Sequence, residues 1–357
     1  MPLQRIFGNA ANQGQRLVSY GPSGRPGNGE ATRTAALIEA LAAVCDLTVF
    51  FPERAEDSAR ACVEAAPHRY RPERAGVLAA MQSLCRQLAP DVVLLSRLQL
   101  DFLRRAVPPG VRRVMDTHDL VSDNAAARRR EGADVPEPLE FAQEMAFLSQ
   151  YDRVLLIQPD DHARVAAALG ERALCVPHPV LLPAQPVRPD SRVIGYAASQ
   201  WVANRHGLQW FFDRVWPGLK GARLDLAGHI AACVADPLPP GVVRRGFVPD
   251  IADLWCGMDV AINPVRWGSG LKIKTVEALA AGLPLVTTRE GARGLEDLAG
   301  HAFLCADDPA GFAAACQSLL DHPERRGALG AAAHAAARAR FSPDACFGAL
   351  FDWLQAV

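Results

Sequence analysis

Asn263-Pro-Val-Arg-Trp-Gly-Ser-Gly-Leu-Lys-Ile-Lys-Thr-Val-Glu277 is the stretch on which the reading of this chain turns. It follows Asp259-Val-Ala-Ile262, a short apolar run suited to a buried parallel strand, and Leu271 to Ala281 has helical character. A strand thus ends in a glycine-containing loop that opens into a helix, and ligands in open α/β sheets bind at such strand ends. Gly268 and Gly270 allow close backbone approach, with Trp267 and Ser269 beside them. The first amides of the helix, counted from Gly270 and Leu271, attract an anion such as a phosphate. Lys272 and Lys274 add positive charge, and Glu277 can accept two hydrogen bonds from a vicinal diol such as a ribose. A plainer alternative stands beside this: Lys274 and Glu277 are spaced i,i+3 and can form an ordinary exposed helix pair. The lysine census favours the first reading. The chain has three lysines (Lys220, Lys272 and Lys274) and 35 arginines, so a rotatable point charge is retained where arginine is otherwise the rule.

Outward from this stretch, short apolar strands alternate with helices along the whole chain. Arg16-Leu-Val-Ser-Tyr20, Asp46 to Phe51, Asp91 to Leu95, Arg113 to Met115, Arg153 to Ile157 and Ala173 to Val176 read as strands of a first unit. The segment Pro177 to Pro189, PHPVLLPAQPVRP, is too rich in proline for a central strand and reads as an extended connection. The alternation restarts at Val193-Ile-Gly-Tyr196, with a helix over Arg205 to Trp216. The expected fold class is therefore α/β, two doubly wound Rossmann-like domains, over 1–180 and 190–343, with a last helix over 344–354.

The sequence from Val193 to Leu295 resembles the nucleotide-binding half of retaining glycosyltransferases with the GT-B fold, family four. The resemblance is carried by Ile194-Gly-Tyr196, by Asn204 with His206-Gly-Leu-Gln-Trp-Phe211, and by Gly246-Phe-Val-Pro-Asp250. Gly268 to Ala280, Gly282 to Thr288 and Gly291 to Leu295 complete it. It implies two domains facing across a cleft, the first binding the acceptor and the second the nucleotide sugar, and a C-terminal helix that packs back on the first domain. Donor contacts are then expected from Asn204, Arg205 and the Trp267 to Leu271 loop, from Glu277, and from the first domain's Gly27-Asn28-Gly29 loop. His118, in Asp116-Thr-His-Asp119, is the catalytic candidate that would face the sugar, with Lys272 and Lys274 stabilising the leaving diphosphate. In many family members a glutamate stands where this chain has Ser269.

Composition bounds the alternatives. With 38 basic and 39 acidic residues, the chain lacks the positive excess of a nucleic-acid binder. The nine cysteines include no C-x-x-C pair and read as reduced thiols, so a cytoplasmic location is expected. There is no membrane-spanning apolar run, which leaves peripheral membrane contact open to a protein acting on a lipid-linked or glycan acceptor. No Asp-x-Asp occurs, so no metal or other cofactor is expected. Arg128-Arg-Arg130 reads as a solvated helix end or loop. A nicotinamide-dependent oxidoreductase is disfavoured because Thr32 stands where the glycine fingerprint after Gly27-x-Gly29 needs a third glycine. A non-catalytic nucleotide-sugar-binding partner remains the other alternative.

Overall fold

The computed structural model describes residues 16–20, 29–50, 64–66, 74–132, 135, 138–180, 190–248 and 251–357. The chain divides into two compact units. The first comprises β1 (Arg16–Tyr20), the chain from Glu30 to Pro179 and the segment Pro343–Val357; the second is Val180–Ser342.

In the first unit β1 is followed by α1 (Gly29–Ala42), β2 (Asp46–Phe50), β3 (Glu64–Ala66), α2 (Arg74–Leu88), β4 (Val92–Ser96) and β5 (Arg112–Asp116). Then come α3 (Val121–Arg130), α4 (Phe141–Leu148), β6 (Arg153–Leu156), α5 (Pro159–Leu169) and β7 (Ala173–Cys175). The sheet order is β3-β2-β1-β4-β5-β6-β7, every pair parallel. β4, Val-Val-Leu-Leu-Ser, is buried at all its positions, as a strand covered on both faces must be. The order reverses between β1 and β4, so the ends of these strands flank a crevice of the kind that holds ligands.

The second unit repeats the plan with β8 (Val193–Ala197), α6 (Val202–Trp210), β9 (Arg223–Ala227), β10 (Val242–Gly246), α7 (Ile251–Cys256), β11 (Val260–Asn263), α8 (Ile273–Ala280), β12 (Leu285–Thr287) and β13 (Leu304–Cys305). Two helices, α9 (Pro309–Asp321) and α10 (Pro323–Phe341), complete it. Its sheet order is β10-β9-β8-β11-β12-β13, again all parallel, with the reversal between β8 and β11. Buried Asp259 registers that central pair: one of its oxygens accepts from the backbone N–H groups of Ser191 and Val193, both at 3.0 Å. The last helix, α11 (Pro343–Gln355), belongs to the first unit and packs against β7.

The elements differ from the sequence reading mainly where patterning is weak. β3 and β13 have three and two residues, too few for alternation to register. α3, Val-Ser-Asp-Asn-Ala-Ala-Ala-Arg-Arg-Arg, has no broad apolar stripe. Its amino end is held instead by the buried carboxylate of Glu144, which accepts from the backbone N–H groups of Val121 at 2.8 Å and Ser122 at 2.9 Å. The helix expected over Arg205 to Trp216 begins earlier, at Val202, and ends at Trp210, passing into a wider turn over Phe211–Val215. The helix expected over Leu271 to Ala281 begins at Ile273, with Lys272 in extended conformation at its N-cap. No helix among the described residues is long and apolar enough to cross a membrane.

Candidate functional site

Two polar clusters lie at carboxyl ends of strands, one in each unit. The cluster of the second unit is built on the reversal between β8 and β11. Gly207 of α6 packs so closely against the β11 exit that an added methyl would stand 2.5 Å from the Pro264 carbonyl oxygen, so glycine is what lets α6 approach. Buried Asn263, at the end of β11, donates to Thr275 Oγ1 of α8 at 2.9 Å, and Thr275 donates to the Gly291 carbonyl at 2.8 Å. The strand, the helix and the turn after β12 are thereby fixed relative to one another.

The two lysines occupy different environments. Lys272 is buried, and its ammonium donates to the Ser269 carbonyl at 3.1 Å, the Gly270 carbonyl at 2.9 Å and Glu290 Oε1 at 2.7 Å. It staples the Gly268 to Leu271 loop, and its three N–H donors are matched by these three acceptors. The sequence leads one to expect that Lys272 stabilises the leaving diphosphate; its ammonium is engaged by its own loop and by Glu290. Lys274 is half-buried on α8. Its ammonium donates to Asn204 Oδ1 and lies 5.4 Å from the centre of the Tyr196 ring. Asn204 is itself oriented by donating to the Ser199 carbonyl at 3.1 Å and Ser199 Oγ at 3.2 Å.

Glu277, one turn along α8, is also half-buried, so the exposed-pair reading of Lys274 and Glu277 does not hold. No ion pair joins them among the described residues; they meet only through their longer-range charges. Burial, reinforced by the Lys272 charge, pushes Lys274 down to about 7 against the opposing pull of Glu277. Burial likewise pushes Glu277 up to about 7, with Lys274 opposing.

The remaining expected donor contacts fall out unevenly. Leu271 and Gly270 are buried, and Ser269 is half-buried in the stapled loop. Gly268 has φ 148°, and an added methyl there would meet the Trp201 ring at 3.1 Å, and Glu290 Oε1 and Lys272 Nζ at 3.5 Å each. Trp267 is 8% exposed and packs with Ala203 and Val265, under Trp201, whose ring centre is 5.4 Å away. Trp201, 38% exposed, is therefore the aromatic ring that the loop presents to solvent. Arg205 is exposed on α6. Gly27 and Asn28 lie outside the described residues; Gly29 opens α1.

In the first unit, His118 follows β5 with φ 60°, an unusual value for a side-chain-bearing residue, in the turn that leads into α3. Its Nε2 lies 2.8 Å from Ser96 Oγ, at the end of β4, and 3.0 Å from Asp116 Oδ2. Asp116 also receives Arg33 of α1, with Nη2 at 2.6 Å and Nε at 3.1 Å from Oδ1. Burial alone would raise the Asp116 carboxyl, but the charges and hydrogen bonds of Arg33 and His118 hold it far below the usual carboxylate range. His178 is buried nearby and pushed down to about 3 by burial and then by the positive charges of Arg33 and His118. Of the two aspartates flanking His118, Asp116 is the one that contacts its imidazole, while Asp119 accepts from Asn124 Nδ2 at 3.4 Å. Arg33, Ser96 and His178 carry no signal in the sequence, because one arginine among 35 does not stand out and the contacts are made only in the folded sheet. Glu290 and Trp201 are invisible in the sequence for the same reason. Among the described residues no group of three His, Cys, Asp or Glu side chains is placed to hold a metal ion.

Residues 191–322 match the family model of glycosyl transferases group 1. No curated protein matches the sequence. Among solved structures, sucrose-phosphate synthase from Thermosynechococcus elongatus aligns with a TM-score of 0.73 at 17% identity, covering 96% of this chain and 99% of that one. Anabaena HepE in complex with UDP and glucose aligns with a TM-score of 0.73 at 15% identity, covering 96% and 100%. WaaG, a glycosyltransferase involved in lipopolysaccharide biosynthesis, aligns at 0.64 and 14% identity, covering 93% and 96%. The fold of this chain is that of these GT-B proteins.

Proposed function

We propose that this chain, whose residues 191–322 match glycosyl transferases group 1, is a retaining, metal-independent glycosyltransferase. It moves a sugar from a nucleoside diphosphate donor to a glycan, lipid-linked or small-molecule acceptor bound mainly by the first unit, in the cytoplasm. The observation that carries this reading is Lys274. A half-buried ammonium at the reversal point of the second sheet has, among the described residues, only the neutral Asn204 side chain as hydrogen-bond partner. An arriving diphosphate supplies the missing counter-charge.

As the glycosidic bond breaks, negative charge grows on the leaving diphosphate. Lys274 and the amides of Gly270 and Leu271 stabilise that charge more strongly than they do the ground state. Lys272 contributes mainly by holding the loop that presents those amides. Glu277 takes the ribose diol. His118, held by Asp116 and Ser96 through Nε2, is the first unit's group for the transferred sugar. Metal independence follows from the absence of Asp-x-Asp and from cations that do the work of magnesium.

Calorimetry against UDP, GDP, dTDP, ADP and CMP tests the binding half, with UDP the first ligand because the HepE structure holds it. Transfer in excess EDTA tests the rest: the rate is expected to persist. Activity lost in EDTA and restored only by manganese or magnesium overturns metal independence. Ser269, where many relatives have glutamate, favours one other reading, a nucleotide-sugar-binding protein without transfer; binding without turnover would establish it.

A further inference from the structure

Gly268 marks a point where three elements meet. The Trp201 ring arrives from the loop between β8 and α6, the Glu290 carboxylate from the turn after β12, and the Lys272 ammonium from the N-cap of α8. All three stand within 3.5 Å of the place where a side chain at Gly268 would begin. Glycine keeps that point open.

The composition of this point is informative. A carboxylate alone beside a diphosphate site would repel the ligand, but Glu290 is neutralised by Lys272 through Oε1 at 2.7 Å. Its Oε2 has no partner among the described residues and, being an acceptor, matches hydroxyl groups rather than phosphate oxygens. Trp201 is partly exposed and braced from below by Trp267, so its ring is a fixed apolar surface. A ring with one apolar face and a rim of hydroxyls fits both. In a nucleoside diphosphate sugar the sugar is bonded directly to the diphosphate, so the group next to the phosphate loop, on the side away from the nucleoside, is that ring.

We propose that Trp201 and Glu290 form the subsite that recognises the donor's sugar, Trp201 against its C–H face and Glu290 accepting from its hydroxyls. The assignment rests on the glycosyltransferase reading and extends it to the part of the donor that the lysines and Glu277 leave unread. Specificity among sugars then depends on which hydroxyls reach Glu290, because a site built to bond a hydroxyl discriminates strongly against a ligand that lacks it.

The test is calorimetry of matched pairs: UDP, GDP, dTDP and ADP against their glucose esters, with the wild-type protein, Glu290→Gln and Trp201→Ala. Glu290→Gln preserves shape and frees the Lys272 charge, so nucleoside diphosphate affinity is expected to hold or rise, while the added affinity from glucose falls about tenfold. Trp201→Ala is expected to reduce the glucose increment similarly and leave the parent nucleotide within about twofold; that retained binding also shows that the variants fold. Equal losses for each nucleotide and its glucose ester would overturn the subsite alone, assigning Trp201 to base stacking or Glu290 to loop support. Unchanged binding of both ligands in both variants would also overturn it. A wild-type protein that binds none of the eight ligands would overturn the glycosyltransferase reading and this assignment with it.

Discussion

The strand-end clusters of the two units handle charge in opposite ways. In the first, Arg33 and His118 both contact Asp116 within a buried network, and their charges hold that carboxyl far below the usual carboxylate range. In the second, Lys274 and Glu277 are each driven by burial toward their neutral forms and make no ion pair with each other among the described residues. A closed network holds an imidazole in one orientation whether or not a ligand is present. An open one stores an electrostatic demand that an anionic ligand can satisfy. In the function proposed above, the charges of the first unit serve positioning and those of the second serve binding.

The largest effect expected from breaking this contrast is on stability. Asp116→Asn leaves Arg33 buried without its counter-ion and should cost about 3–5 kcal/mol, read as a lower denaturant midpoint at constant slope. Lys274→Met removes a poorly solvated cation with no ionic partner, and the same measurement should find it neutral or stabilising. A comparable loss in both variants would erase the distinction between the clusters.

The pH dependence sharpens it. Asp116 is depressed, so the unfolded chain binds more protons in acid. Its contribution is complete above the ordinary value of 3.8 and is lost as pH falls toward the folded-state value. Lys274 is depressed from 10.5 to about 7, so its penalty is relieved and stability rises between those values. Glu277, raised from 4.5 to about 7, acts with the opposite sign, and stability falls with increasing pH across that window. Denaturation midpoints from about pH 2 to 10 should show a weakened acid limb in Asp116→Asn and no alkaline rise in Lys274→Met. The smallest effect is reserved for Arg128, Arg129 and Arg130, all exposed, where the ion pair of Arg129 with Glu140 is solvated. Glutamine at each should change stability by at most ~0.5 kcal/mol.

Much of the fold was legible because continuous apolar strands, the proline-rich connection and the loop before α8 are local patterns. So was the gathering of Lys272, Lys274 and Glu277 at one strand end. What stayed hidden was pairing across the sheet. Glu290 lies 18 residues from Lys272, and Arg33 lies 83 residues from Asp116, separations at which no spacing rule operates. Nor could spacing show that Lys272 turns back onto its own loop while Lys274 does not, since that depends on α8 beginning at Ile273 rather than Leu271. Trp267 read as a possible ligand contact because adjacency in sequence does not reveal which of two stacked rings faces outward.

In the proposed function Lys274 is the counter-charge that a bound diphosphate meets. Titration of the tightest-binding nucleoside diphosphate and of its parent nucleoside into the wild-type protein, Lys274→Ala, Lys274→Arg and Glu277→Ala tests it most directly. Lys274→Ala is expected to lose about ten- to a hundredfold in diphosphate affinity and nothing for the nucleoside, whereas Glu277→Ala weakens both. Lys274→Arg is expected to show the same diphosphate loss, because a planar guanidinium does not reproduce the point-charge contacts of an ammonium with Asn204 and the Tyr196 ring. Diphosphate binding unchanged in Lys274→Ala would overturn the role proposed for Lys274.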